Sequence, residues 1–404
     1  MVNMAHGENV DPPGSNRALV WSVIFLHMLN HVISGSMPIL YPEIMEEFDL
    51  NYAQLGLLRS ASTFSSGFPQ MFVGWLRRWF SGRVLVGVGN LVNSLGNIAA
   101  SLSRGLWSFL GLTVVAGVGS STQHPVGASL ITAATDPRER GRMLGLNQSF
   151  PSLAFSFTPL LAAYMLNLMG WRRALAILST PAILLSLVLL FFVRGTSQVE
   201  APSRDALNLS KLREQLRNRN VLAISVLRTA MAFRMGVRTF LPLYFIDVLG
   251  LSTAQSSLLY SVLLFGGVFG PFFWGSLSDQ VNRRPLIIGI MVASGLGYLS
   301  LLWVKGFTAL LVLLFLLGFM VQTVVVQSVL SDSVPRSQLD QVFGLYFTLG
   351  FTVASFSSII FGYVVEYWGF HAGFVYIAAV TLVSMVPAFF IEEPRTWTNQ
   401  PSTI

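Results

Sequence analysis

The sequence predicts an all-α membrane protein of about twelve transmembrane helices, arranged as two pseudo-symmetric six-helix halves. Of its 404 residues, 53% are hydrophobic and only 11% charged, against about 25% charged in an ordinary soluble domain. Twelve apolar runs can be cut from the chain, each close to the roughly 20 residues a helix needs to cross a bilayer core. One polar, basic stretch, 194–220, divides them six and six.

Residues 1–17 form a polar tail containing Pro12, Pro13 and Gly14. The first apolar run follows without a small-residue cleavage site, so it reads as a retained span and not as a signal peptide. The N-terminal half, 18–193, holds runs 18–40, 53–76, 84–102, 107–131, 142–166 and 173–193. The C-terminal half, 221–391, holds 221–246, 254–276, 285–304, 307–331, 341–365 and 371–391, and residues 392–404 form a second tail. Within the linker, apolar residues from Leu207 to Leu216 recur at helical spacing, as in a segment lying along a membrane surface.

Charge sets the orientation. With both termini inside, seventeen of the 25 Lys and Arg fall on the inner side, and only Arg104, Arg172, Arg173 and Lys305 on the outer. The positive-inside rule therefore makes both termini and the linker cytoplasmic, in a multi-pass protein of the cytoplasmic membrane. The net charge of +7 is explained by a surface facing anionic lipid, and no nucleic acid is needed. There are no cysteines, which excludes disulfides, thiolate metal sites and thiol catalysis.

The halves also repeat each other. Gly145-Leu146 answers Gly344-Leu345, and Gly170-Trp171-Arg172 answers Gly369-Phe370-His371, both at an offset of 199. Gly74-Trp75-Leu76-Arg77-Arg78 answers Gly275-Ser276-Leu277-Ser278-Asp279 at nearly the same offset. Two joined repeats are the plan of a carrier whose site lies between them near the bilayer midplane.

The loop Gly275-Ser276-Leu277-Ser278-Asp279-Gln280-Val281-Asn282-Arg283-Arg284 resembles the signature loop of the major facilitator superfamily, and the resemblance extends over all twelve runs. It implies that fold and an inside gate at Arg78, Asp279, Arg283 and Arg284, while the repeat points to transport by alternating access. In the N-terminal copy Arg78 stands where the family usually has aspartate. Within the superfamily, Gly119 to Pro125 and Thr239 to Tyr244 resemble the fosmidomycin-resistance group of efflux carriers. That group often has a histidine followed four residues later by an aspartate in its first helix. Here the pair is His27 and His31.

Four basic residues remain inside the runs: Arg59, Arg228, Arg234 and Arg238. An ion in the membrane costs a few kcal/mol even on permissive scales, so each is a functional candidate. Arg234 and Arg238 share a helical face, and Arg59 reaches a comparable depth on a span running the other way. Arg228 lies on another face, placed for snorkelling or an interhelical role. The carboxylates all lie in loops, tails or span ends, with Asp247 and Glu366 outside and Asp332 inside. The missing counter-charge is then expected to be the substrate, an organic anion of carboxylate, phosphonate or sulfonate type that arginine forks suit.

His27, His31, Asn30, Gln123 and His124 complete the expected substrate site, with the three histidines as candidates for proton coupling. Gln70, Gln123, Asn147, Gln148, Gln322 and Gln327 are expected to be mostly interhelical hydrogen-bond partners. Bland readings stand beside these: Arg234 and Arg238 could pair with Asp247, and the histidines could be structural. No metal cluster, cofactor site or acid/base pair is apparent, so enzymatic activity is not expected. The expectation is a monomeric, proton-coupled anion transporter. Its rivals are a proton-driven drug or fosmidomycin-type efflux antiporter and a non-transporting membrane sensor.

Overall fold

The computed structural model describes residues 16–136, 139–193, 215–320, 323–335 and 339–392. Arg138, Gln322, Arg336, Arg395, the linker up to residue 214 and most of both expected tails lie outside the described residues.

In a bilayer a backbone amide has no water to bond, so an apolar chain satisfies its polar groups within helices. The first span, Arg17–Phe48, outruns its predicted end at residue 40. The second is Tyr52–Gly67 continued by a 3-10 turn, Phe68–Phe72, and Val73–Leu76. The third is Gly82–Ser101, and the fourth is split into Leu106–Ser120 and Gln123–Ala134. The fifth and sixth form one stretch, Arg140–Phe191, turned at Gly170. The seventh runs through Arg219–Ala232, a 3-10 turn Phe233–Gly236, Val237–Leu243 and a π turn Tyr244–Val248. Thr253–Ser278 and Arg283–Ser300 are the eighth and ninth. Phe307–Phe319 and Thr323–Asp332 make the tenth, and Leu339–Val383, turned at Gly369, holds the eleventh and most of the twelfth.

Seven helical stretches are long and apolar enough to cross a membrane by length and composition among the described residues, and two of these, Arg140–Phe191 and Val342–Phe390, each contain two predicted runs. The other three runs are helical too. The second and fourth are interrupted, and the ninth is an 18-residue helix that opens with Arg283 and Arg284.

The repeat is visible in the turns. Gly170 (φ 73°) and Gly369 (φ 77°) reverse the chain at equivalent points of the two halves. The corner after the first span has Asp49 at φ 51° and a reciprocal cap between Asn51 and Gln54. The corner after the seventh has Gly250 at φ 65° and the same cap between Ser252 and Gln255. Each cap satisfies two helix-end amides with one pair of side chains.

The buried core is divided unevenly between the two ends of the molecule. At the end away from the termini, one cluster joins both halves, with Tyr41, Phe109 and Trp171 packed in continuity with Phe240, Tyr244, Phe361 and Phe374. At the end nearer the termini each half has its own core, around Val23, Leu85 and Val126 in one and Leu227, Ile287 and Val326 in the other. The hydrogen bonds that described residues make between halves also lie at the far end. The Tyr52 hydroxyl donates to Asp247 (2.7 Å), the Tyr52 amide to Glu366 (2.9 Å) and the Ile359 amide to Ser60 (3.0 Å). Gly56 and Gly362 allow this seam: a Cβ on Gly56 would stand 2.6 Å from the Ser358 carbonyl oxygen, and one on Gly362 would stand 2.4 Å from that of Tyr52. Exposed Trp107, Trp303 and Trp368 lie near span ends on that side, as interfacial aromatics do.

Candidate functional site

The candidate residues gather where spans are interrupted. Arg234 sits in the 3-10 turn of the seventh span, and Arg238 follows as the helix resumes at Val237. His124 is the second residue of the helix that restarts the fourth span, just ahead of Pro125. Proline cannot donate to the carbonyl one turn earlier, which loosens the helix at that point. Such mid-helix breaks often mark functional positions.

Arg59 acts electrostatically on the hydroxyl of Tyr41, a buried side chain on the first span. Arg59, Arg238 and Tyr41 all act electrostatically on Tyr260, buried on the eighth span. Tyr41, Arg59, Arg238 and Tyr260 therefore form one group drawn from both halves. Arg234 lies within electrostatic reach of Arg238, Arg228, Tyr298 and Tyr346. Arg228 packs between helices instead of snorkelling. Its guanidinium carbon is 5.0 Å from the centre of the Tyr346 ring, and it lies against Gly350, where a Cβ would come within 2.1 Å of Nε.

Among the described residues, Arg59, Arg228 and Arg238 make no ion pair. The carboxylates at the outer ends of the spans have other partners. Asp247 and Glu366 accept from Tyr52. Glu43 accepts from the Trp171 amide, and Glu47 from the Trp171 indole (2.6 Å) and Arg172.

A small cleft runs beside the first span from Asn30 to Tyr41, lined by polar groups including Ser34, Ser62, Asn93, Asn97 and Thr113. Asn30 accepts from Ser120 (3.3 Å), while its own amide nitrogen is buried without a hydrogen-bond partner. Gln123 is held by protein partners. Both ends of its amide are engaged, accepting from Asn90 (2.6 Å) and donating to the Val23 carbonyl (3.2 Å), so it ties the first, third and fourth spans.

His27, His31 and His124 come together. Their ring centres are 5.0 Å apart for His27 and His31, 4.8 Å for His27 and His124, and 6.0 Å for His31 and His124. The sequence suggested no metal cluster and did not place these three rings together; packing of the fourth span against the first adds the third histidine.

At the other end, Arg78 is exposed, and Asp279, 70% exposed, is 3.8 Å from Arg283. The closer partner of buried Arg283 is Asp332, which the sequence marked only as a span-end carboxylate. Arg284 lies over the Phe389 ring at 5.9 Å. Sequence reasoning missed Tyr41 and Tyr260. The signal available was a phenol hydroxyl in an apolar run, which requires a partner when buried.

A family model described as Major Facilitator Superfamily matches residues 20–272 and 249–403. The fosmidomycin resistance protein of Escherichia coli is 22% identical over 92% of each chain. A probable hexose phosphate transport protein of Chlamydia muridarum is 23% identical over 94% of this chain and 90% of its own length. A probable sulfoacetate transporter of Cupriavidus necator is 25% identical over 89% and 93%. Among solved structures, a bacterial homologue of the human lysosomal transporter Spinster superposes with a TM-score of 0.76 at 15% identity, covering 92% of this chain and 95% of that one. With its two six-helix halves and a family match running almost end to end, this chain belongs to the major facilitator superfamily and is a multi-pass membrane transporter, not an enzyme.

Proposed function

We propose that the chain carries a small organic anion across the cytoplasmic membrane by alternating access, with its termini on the cytoplasmic side. The observation that carries this reading is the Tyr41, Arg59, Arg238 and Tyr260 group between the halves, in which neither arginine has a protein counter-ion among the described residues. Cations within membrane spans are unfavourable without a counter-charge unless an anion arrives, and a carboxylate, phosphonate or sulfonate satisfies guanidinium forks bidentately. Two of the relatives are named for anions, hexose phosphate and sulfoacetate, which supports the same chemistry. The uneven core supports rocking of the halves: joined at one end and separate at the other, they form one end state of such a cycle.

The test is a thermal-shift screen of purified protein against anionic, neutral and cationic compounds, followed by flux in liposomes. A ligand at 100 times its Kd adds about 2.7 kcal/mol of stability. One anion class should stabilise the protein and be transported, and Arg238→Ala should lose both while remaining folded. Retained transport in that variant would sink the assignment. Flux under an imposed pH gradient then separates a proton-coupled cycle from exchange of one anion for another. The resistance protein among the relatives favours a second reading, export of a small drug. Stabilisation by neutral or cationic compounds, unchanged in Arg238→Ala, would put that reading first.

A further inference from the structure

We propose that His27, His31 and His124 form a binding site for a divalent transition-metal ion, of which Zn²⁺ and Co²⁺ are the type. His27 and His31 stand four apart on one helix, the spacing that presents two imidazoles from one face. His124 reaches them from the fourth span, and the three residues each offer a ring nitrogen within 4.8 Å of the other two. A tetrahedral ion with bonds of about 2.0–2.1 Å needs its nitrogens roughly 3.4 Å apart. Small ring rotations close that gap.

Three further features favour a ligand over simple packing. The His27 Nδ1–H donates to Asn147 Oδ1 (3.1 Å), so the lone pair is at Nε2, and that atom is buried without a partner. A second group holding the far side of a ligating imidazole is what metal sites use to fix tautomer and ring orientation. His31 Nδ1 is likewise buried without a hydrogen-bond partner. His124 is exposed, although it lies at an interruption within its span, which gives an ion a route in and leaves a fourth position for water. Phe155, 5.7 Å from His31, and Phe351, stacked 6.5 Å from His124, supply an apolar surround. Asn147 is a positioning residue here, because it acts on the ion only through His27.

The experiment uses the full chain, purified on an affinity tag without histidine and titrated with Co²⁺ while visible absorption is recorded. The expected result is one equivalent of saturable binding with the spectrum of nitrogen-coordinated cobalt, displaced by Zn²⁺. His124→Ala, at an exposed position that folding tolerates, should abolish it. Asn147→Leu should weaken it by about 10–100-fold while the spectrum at saturation persists. His371→Ala and Arg238→Ala should leave it intact. Absence of a saturable spectrum in the wild type, or an unchanged one in His124→Ala, would overturn the proposal. The readout is independent of transport, so it stands or falls separately from the anion reading.

Discussion

Arg59 brings a permanent charge into apolar surroundings, and the Tyr41 hydroxyl is a polar group within its electrostatic reach. Polar contacts with a charged group contribute about 1.5–3 kcal/mol. Tyr41→Phe removes that hydroxyl from the site, so the anion should bind about tenfold to a hundredfold more weakly, read as a rise in KM with kcat little changed. The arginines of this site were legible in the sequence because a charge in an apolar run is conspicuous. Tyr41 and Tyr260 were not, since tyrosine is ordinary in such runs and only its partner reveals its role. His124 was legible as a polar residue, but its meeting with His27 and His31 depends on how two spans pack, which spacing within one segment cannot show. Gln123 was legible both as a site candidate and as an interhelical partner, and its amide points into a contact between helices.

At the scale of elements, Gly170 and Gly369 are the clearest case of sequence dictating structure. Their backbone angles, φ 73° with ψ 166° and φ 77° with ψ 172°, lie in a region only glycine adopts freely. Gly369→Ala should therefore cost about 1–3 kcal/mol and lower the melting temperature of the purified protein. Gly344→Ala, at a position with open space and ordinary angles, should not. The pair at an offset of 199 exposed the repeat before any helix was seen. The interruptions were less legible. Pro69, Pro125 and Pro242 lie at or beside breaks in the second, fourth and seventh spans. The break after Phe319 in the tenth has no such marker.

For the molecule as a whole, the number of runs and the division into halves follow from hydropathy and charge, whereas which end is closed depends on contacts that apolar residues make almost interchangeably. The exception is the small-residue seam, where Gly56 lies against Ser358 and Ile359. Gly56→Val should wedge that seam apart and shift the population toward the opposite end state. The chain lacks cysteine, so spin labels at Trp79→Cys and Gln280→Cys report the termini end alone. Their distance distribution should shorten in Gly56→Val, and an unchanged distribution would mean that the seam does not set the equilibrium. The shared core has a further consequence for how the two aqueous compartments would measure this protein. A solute offered at the sealed end encounters only the fraction of molecules that has opened there, so its apparent Kd is the intrinsic one divided by that fraction. If the seam holds open one molecule in about a hundred, the two compartments would report affinities roughly a hundredfold apart for the same site.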